Sequence, residues 1–141
     1  MALVHFKLRD PKKFICQESS SVFVIDWCDD FDIINKYYQE HFGIYDLEKD
    51  DPGDFEVIST VAYMIDGEVL SLAVIYNING KELEIGAVST APAHRNLGYS
   101  SSCVSLAVKV ILEKGMTASI TTNAENAAMQ RVAEKLGFER T

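Results

Sequence analysis

The sequence predicts a mixed α/β fold, in which an antiparallel meander is joined to a parallel strand pair and helices cover both faces of the sheet. Two turn dipeptides, Asp66-Gly67 and Asn79-Gly80, divide three strand-like runs, and such dipeptides favour the tight turns of antiparallel hairpins. A strand, a long apolar helix and a second strand follow, an order typical of a right-handed crossover between parallel strands. The length of 141 residues and the 48% hydrophobic content predict a single domain over residues 1–141.

The boundaries of the elements follow from caps, chain breakers and hydrophobic periodicity. Asp29 or Asp30 is the predicted N-cap of the first helix, and Gly43 is its predicted end. The acidic segment at residues 46–54 contains proline and glycine and is expected to be a mobile loop. In chain order, the later elements are expected at residues 55–65, 68–76 and 82–89 (strands), 102–114 (a mostly apolar helix), 118–122 (a strand) and 123–136 (a helix).

The composition argues against several classes of function. A net charge of −8 and the lack of a basic stripe disfavour nucleic-acid binding. The acidity serves ordinary solubility or, in an alternative interpretation, attracts a cationic amine. No apolar run reaches the roughly 18 residues of a membrane helix, and the N-terminus lacks the features of a signal peptide, so a soluble, cytoplasmic protein without a membrane partner is expected. The three cysteines are too widely spaced for a disulfide framework or a metal site; we interpret them as buried free thiols and expect no metal.

The stretch APAHRNLGYSSS, residues 91–102, contains the strongest functional signal. It is a predicted strand-to-helix turn, in which the N–H groups of Leu97 to Ser100 lack helical partners and lie along a helix dipole that favours negative charge. Gly98 would let the backbone approach a ligand closely, and the guanidinium of Arg95 would reach a phosphate from the rim. The pattern therefore indicates a pyrophosphate cradle. On spacing alone, Gly98 could equally be a packing glycine.

Together with NAENAAMQRVAEKLGF at residues 123–138, this turn resembles the motifs of the GNAT superfamily of N-acetyltransferases, over about residues 57–138. The resemblance implies that acetyl-CoA, or another acyl-CoA, is the cofactor. It also implies that the turn binds the pyrophosphate, that the backbone of residues 88–90 pairs with the pantetheine arm, and that the neighbouring strands splay into a slot. An N–H near Val88 would donate to the developing oxyanion. The implied cofactor-binding residues are Val88, Ser89, Thr90, Arg95, Asn96, Leu97, Gly98, Tyr99, Ser100 and Asn126.

Two residues are candidates for catalysis. Glu84 is the leading candidate for the general base because it lies on the strand that feeds the turn; Glu82 faces the same side, and both could be solvated strand residues. Asn126 matches the family asparagine and is the second candidate. Where the family commonly has a tyrosine as general acid, this chain has Ala133. The thiolate would then be protonated by water or by another tyrosine such as Tyr99, or catalysis would rely on positioning.

The expected function is transfer of an acetyl group from acetyl-CoA to a primary amine of a small molecule or to an amino group. The alternative is a degenerate member of the family, which binds acyl-CoA or a partner protein without turnover; Ala133 and the short C-terminal segment favour it. The family adds a further strand after the position of Phe138, so another segment must cover that edge of the sheet. One of the N-terminal runs, ALVHFKL and SVFVID, could do so, as could a second subunit in a homodimer.

Overall fold

The computed structural model describes residues 2–49 and 55–141. Its strands are β1 (Leu3–Lys7), β2 (Val22–Ile25), β3 (Glu56–Ile65), β4 (Glu68–Asn77), β5 (Glu82–Thr90), β6 (Thr117–Asn123) and β7 (Glu139–Arg140). Its helices are α1 (Phe31–Phe42), α2 (Tyr99–Glu113) and α3 (Ala127–Lys135), with short 3₁₀ turns at Pro11–Lys13 and Pro92–His94. Every predicted strand and helix is present. Residues 46–49 of the predicted acidic loop have no helix or strand, and the rest of that loop lies outside the described residues.

The strands form a sheet in the order β2-β3-β4-β5-β6-β1-β7. Strands β2 to β5 are antiparallel neighbours, whereas β5 and β6 are parallel and are joined by α2. Asp66 and Gly67 have φ angles of 53° and 77°. Positive φ at both central residues is what a type I′ hairpin turn requires. The predicted meander and the predicted parallel pair are therefore both confirmed.

The N-terminal strand β1 covers the sheet edge that the sequence left open. It pairs antiparallel with β6 on one side and with β7 on the other, with Phe6 opposite Ile120. Val4, Phe6 and Leu8 are buried in the core. An N-terminal run therefore covers β6, as in the first alternative, and the two-residue strand β7 that follows Phe138 pairs with this run. A second subunit is not needed to cover β6.

Helices lie on both faces of the sheet, as predicted. The α2 and α3 helices share one core with β1, β5 and β6; its members include Phe6, Ile85 and Ile111. The α1 helix packs on the other face, where Ile34 and Tyr37 belong to a second buried cluster. None of the helices in the described ranges is both long and apolar enough to cross a bilayer.

Three sequence expectations need correction. The α3 helix begins at Ala127 rather than near residue 123, because β6 extends to Asn123 and Asn126 caps the helix. The α2 helix begins at Tyr99, three residues before the predicted start, because the hydroxyls of the small residues at its start are satisfied by hydrogen bonds to Thr90 and Gln17. Cys103 is a buried free thiol as expected, but the free thiols of Cys16 and Cys28 are exposed, since both residues lie in loops rather than on core-facing elements.

Candidate functional site

A slot opens where the two parallel strands separate. The pairing of β5 with β6 ends at Ile85 and Ile120, yet β5 continues to Thr90 and β6 to Asn123. The turn before α2 and one side of α3 flank the gap and complete a pocket of about 640 Å³. The predicted residues that line it are Val88, Ser89, Thr90, Arg95, Asn96, Gly98, Tyr99, Ser100 and Asn126.

Two predicted residues do not line this pocket. The side chain of Leu97 is 60% exposed to solvent and lies outside the wall. Glu84 precedes the point of separation. Its strand neighbours Leu83 and Ile85 belong to the core under α2, so the side chain of Glu84 lies on the opposite face of the sheet, on the side of α1. The predicted cofactor-binding residues, apart from Leu97, therefore line one pocket. Glu84, the predicted general base, lies on the opposite face of the sheet.

A β-bulge lies in β5 at the slot. Leu72 pairs with Ser89 and Val74 with Gly86, so β5 has one extra residue, and Ala87 has a φ of 50°. The extra residue shifts the alternation of side chains by one. Val88 consequently packs against the α2 core, and the backbone of residues 87 and 88 lies outside the regular register.

The turn before α2 exposes backbone donors. Gly98 is the N-cap of α2 with a left-handed φ of 82°, and the first helical turn contains no acidic residue. The N–H groups of Tyr99, Ser100 and Ser101 have no intrahelical acceptor at this position. The amide of Gln17 donates to the Gly98 carbonyl oxygen at 3.2 Å and stabilises the turn from the side that faces away from the pocket. The result is a rigid set of donors at the positive end of a 15-residue helix.

A chain of hydroxyl hydrogen bonds fixes the end of β5. Ser71 donates to the carbonyl oxygen of Ser89 at 2.7 Å, and its oxygen is 2.9 Å from the hydroxyl of Thr90, which is 2.6 Å from that of Ser100. Each hydroxyl has one proton, so Thr90 must donate to Ser71 and Ser100 to Thr90. The proton of Ser100 is therefore used internally, which leaves the backbone N–H groups as the anion donors of the turn.

Asn126 has a structural role in addition to its predicted role in cofactor binding and catalysis. Its Oδ1 accepts the N–H of Met129 at 3.1 Å, which makes it the N-cap of α3, and its Nδ2 donates to the hydroxyl of Thr122 at 3.3 Å. The amide has two donor hydrogens. One of them therefore remains for a ligand in the pocket that Asn126 lines.

The two candidate bases differ in their partners. The hydroxyl of Thr121 donates to Oε1 of Glu84 at 2.6 Å and is itself 2.9 Å from Nδ1 of His5, which must then be the donor. Glu82 instead forms a 2.6 Å ion pair with Lys7. Thr121 is the first β6 residue beyond the last β5–β6 pair, so the carboxylate of Glu84 reaches the start of the slot from the α1 face of the sheet. Glu84, unlike Glu82, is not neutralised by a cation among the described residues.

Tyrosine side chains border the slot on the α1 face. The Tyr37 hydroxyl is 2.7 Å from the hydroxyl of Ser89, and burial raises the pKa of Tyr37 well above its usual value. Burial also raises the pKa of Tyr38 to about 12 and that of Tyr76, where the charge of Glu84 adds to the effect. These phenols stay protonated at neutral pH and act only as neutral donors or acceptors.

On the pocket side, Tyr99 is held by stacking. Its ring lies 3.8 Å from that of Tyr63 and 6.2 Å from that of His94, and both stacks are nearly parallel. Ala133, which replaces the family tyrosine, lies on α3 and is fully buried in the core that α3 shares with α2. Tyr99 is thus the tyrosine that lines the pocket, and His94, which stacks on it, lines the pocket as well.

Sequence reasoning missed the contribution of α3 to the wall. Arg131 and Lys135 line the pocket, together with Met129 and Val132. Their spacing places the two cations on one helical face. The sequence does not say that this face borders the slot, because that depends on how α3 packs against β6. In the part of the chain that the structure describes, no cluster of metal-ligating side chains is found.

Comparison with known proteins decides the family. A sequence model of the acetyltransferase (GNAT) family matches residues 19–138. This chain belongs to the GNAT acetyltransferase family. Among curated proteins, none matches the sequence significantly.

Solved structures of GNAT proteins share the fold. A GNAT-family protein from Novosphingobium aromaticivorans superimposes with a TM-score of 0.77 at 16% identity, over 99% of this chain and 59% of that one. A GNAT-family acetyltransferase from Colwellia psychrerythraea gives 0.74 at 12% identity, over 99% and 52%. AAC(6')-Iy, in complex with the bisubstrate analogue CoA-S-monomethyl-acetylneamine, gives 0.63 at 16% identity, over 84% and 89%. The chain therefore spans little more than half the length of the first two proteins.

Proposed function

We propose that the chain is an N-acetyltransferase that transfers an acetyl group from acetyl-CoA to a primary amine of a small molecule or to an amino group. The observation that carries this proposal is the slot between β5 and β6, which has the donors of the α2 N-terminus at one end. Unpaired strand backbone suits an extended amide-containing arm, and helix N-termini suit phosphate. The family supports acetyl-CoA as the acyl donor.

The residues present fit this cofactor. The backbone N–H groups after Gly98 and the guanidinium of Arg95 would hold the pyrophosphate, and the unpaired edge at residues 88–90 would hold the pantetheine arm. Acetyl-CoA supplies an activated acetyl group as a thioester. The N–H of Val88, displaced from the regular register by the bulge, is the candidate donor to the carbonyl oxygen during attack.

Glu84 is the proposed base for the acceptor. An ammonium group must lose a proton before its nitrogen can attack, and the leaving thiolate must gain one. Thr121 occupies one oxygen of the Glu84 carboxylate and fixes its orientation, so the other oxygen can accept the proton. Tyr99 or water would protonate the thiolate. The net charge of −8 would favour the approach of a cationic amine.

A small polyamine is a reasonable first acceptor class. AAC(6')-Iy was solved with an acetylneamine bisubstrate analogue, and an aminoglycoside acetyltransferase from an uncultured soil metagenomic sample was solved with sisomicin. Their identity to this chain is 16% and 8%. They therefore supply a starting panel of amines for a screen rather than a substrate.

Thiol release from acetyl-CoA over a panel of amines tests the proposal. We expect an amine-dependent rate that Glu84→Gln lowers by about 10²–10⁴-fold, the range for a general base, with a smaller loss at alkaline pH, where the amine is already neutral. Glu82→Gln is the matched control and should retain most activity because Lys7 already neutralises Glu82. Equal, small losses in both variants at every pH would remove Glu84 as the base. Native CoA binding without thiol release for any amine would favour the degenerate alternative, which Ala133 supports.

A further inference from the structure

The pocket wall is basic although the protein is acidic. The chain has 21 Asp and Glu residues against 13 Lys and Arg residues. The pocket is nevertheless lined by Arg95, Arg131 and Lys135 and by no aspartate or glutamate. Cations concentrated in one concave surface of an acidic protein indicate a strongly anionic ligand.

These cations are available to a ligand. Among the described residues, none of the three forms an ion pair, whereas Lys7, Lys13 and other basic residues do so elsewhere. Arg95 makes one long hydrogen bond of 3.4 Å, from Nε to the carbonyl oxygen of Thr90. All three side chains are exposed to solvent. Their charges are therefore not neutralised by the fold.

The cations come from two different elements. Arg95 stands in the turn before α2, beside the backbone donors, whereas Arg131 and Lys135 stand one turn apart on α3. Coenzyme A likewise has two separate anionic groups, the pyrophosphate and the 3′-phosphate of its ribose. A terminal phosphate with a charge near −2 is best matched by a guanidinium fork together with an ammonium group.

We propose that Arg131 and Lys135, adjacent on the face of α3 that borders the slot, bind the 3′-phosphate of CoA. The chain would then select CoA and its thioesters over the dephosphorylated forms. This inference rests on the proposed function, because it assumes that the turn before α2 takes the pyrophosphate.

Calorimetric titration with CoA and with 3′-dephospho-CoA tests the inference without any acceptor. Wild type should bind CoA about ten- to a hundredfold more tightly than dephospho-CoA, as the loss of one or two charge-assisted contacts predicts. The double variant Arg131→Gln/Lys135→Gln should lose that preference and keep the wild-type affinity for dephospho-CoA. The control is Lys12→Gln/Lys114→Gln, which removes the same charge from exposed lysines outside the pocket and should retain the preference.

The outcomes separate this inference from the proposed function. If wild type binds CoA and dephospho-CoA equally, the 3′-phosphate subsite is refuted while the function stands. If the double variant weakens both ligands by the same factor, the α3 cations serve the pyrophosphate, and the inference fails. A preference that survives in the double variant also overturns it. If wild type binds neither ligand, both the function and the inference fail.

Discussion

At the scale of single residues, backbone conformation decides what the site can do. Gly98 and Ala87 have positive φ angles, one at the start of α2 and the other in the bulge of β5. The sequence predicted the first because a glycine precedes an apolar helix after a turn. It could not predict the second, because alanine has no preference for positive φ and the bulge arises from pairing with β4.

Gly98→Val should weaken binding of acetyl-CoA by at least about tenfold. A branched side chain would crowd the Gln17 amide, which lies 3.4 Å from the position of the added Cβ, and the left-handed φ of 82° would be strained by about 1–2 kcal/mol. Both effects would displace the turn that carries the N–H donors. Gly80→Val is the matched control, since Gly80 has a φ of 79° and open space around it, in a turn remote from the pocket. Both variants should lose similar stability in urea, but only Gly98→Val should lose affinity. Normal binding by Gly98→Val would make the turn purely structural.

At the scale of elements, α3 shows how far sequence reasoning extends. The sequence predicted the helix and its amphipathic face, since both depend on local pattern. The family resemblance singled out Asn126, which lies at the N-cap of this helix. It missed Arg131 and Lys135 because their part in the wall depends on the docking of α3 beside the slot. It also placed the start of α2 too late, because Gln17, which donates to the Gly98 carbonyl oxygen and to the Ser102 hydroxyl, is distant in sequence.

Substitutions at Asn126 should separate its two duties. Asn126→Ser keeps an oxygen for the N–H of Met129, so stability should be nearly unchanged, whereas Asn126→Ala should lower the free energy of unfolding by about 1 kcal/mol. Both substitutions remove the amide donor, so both should lower the affinity for acetyl-CoA, measured by calorimetry, by a similar factor. Wild-type affinity in Asn126→Ser would show that Asn126 is only a helix cap.

At the scale of the whole molecule, the sheet order places β1 between β6 and β7. The sequence offered this arrangement as one of two alternatives and could not choose, because a strand-like run does not specify which edge it joins. In the structure, Val4, Phe6 and Leu8 are buried in the core shared with α2 and α3, which favours this position for the N-terminal strand. β1 also brings His5 to Thr121 and Lys7 to Glu82, so this strand defines the surroundings of both carboxylates.

Phe6→Ala should therefore destabilise the fold by about 3–5 kcal/mol, the usual cost of truncating a fully buried phenylalanine. Leu3→Ala, on the same strand but 54% exposed, is the control and should cost far less. Urea denaturation followed by circular dichroism measures both. A small effect of Phe6→Ala would mean that β1 is not part of the stable sheet in solution.

The central claim is that the slot between β5 and β6 binds acetyl-CoA, and the melting temperature of the wild-type protein with and without this ligand tests it most directly. A ligand that binds only the folded state, at about a hundred times its dissociation constant, adds about 2.7 kcal/mol to stability. For a domain of this size, that gain should raise the melting temperature by about 8 °C. The account predicts such a rise with acetyl-CoA and with CoA. An unchanged melting curve at saturating concentrations of both would contradict it.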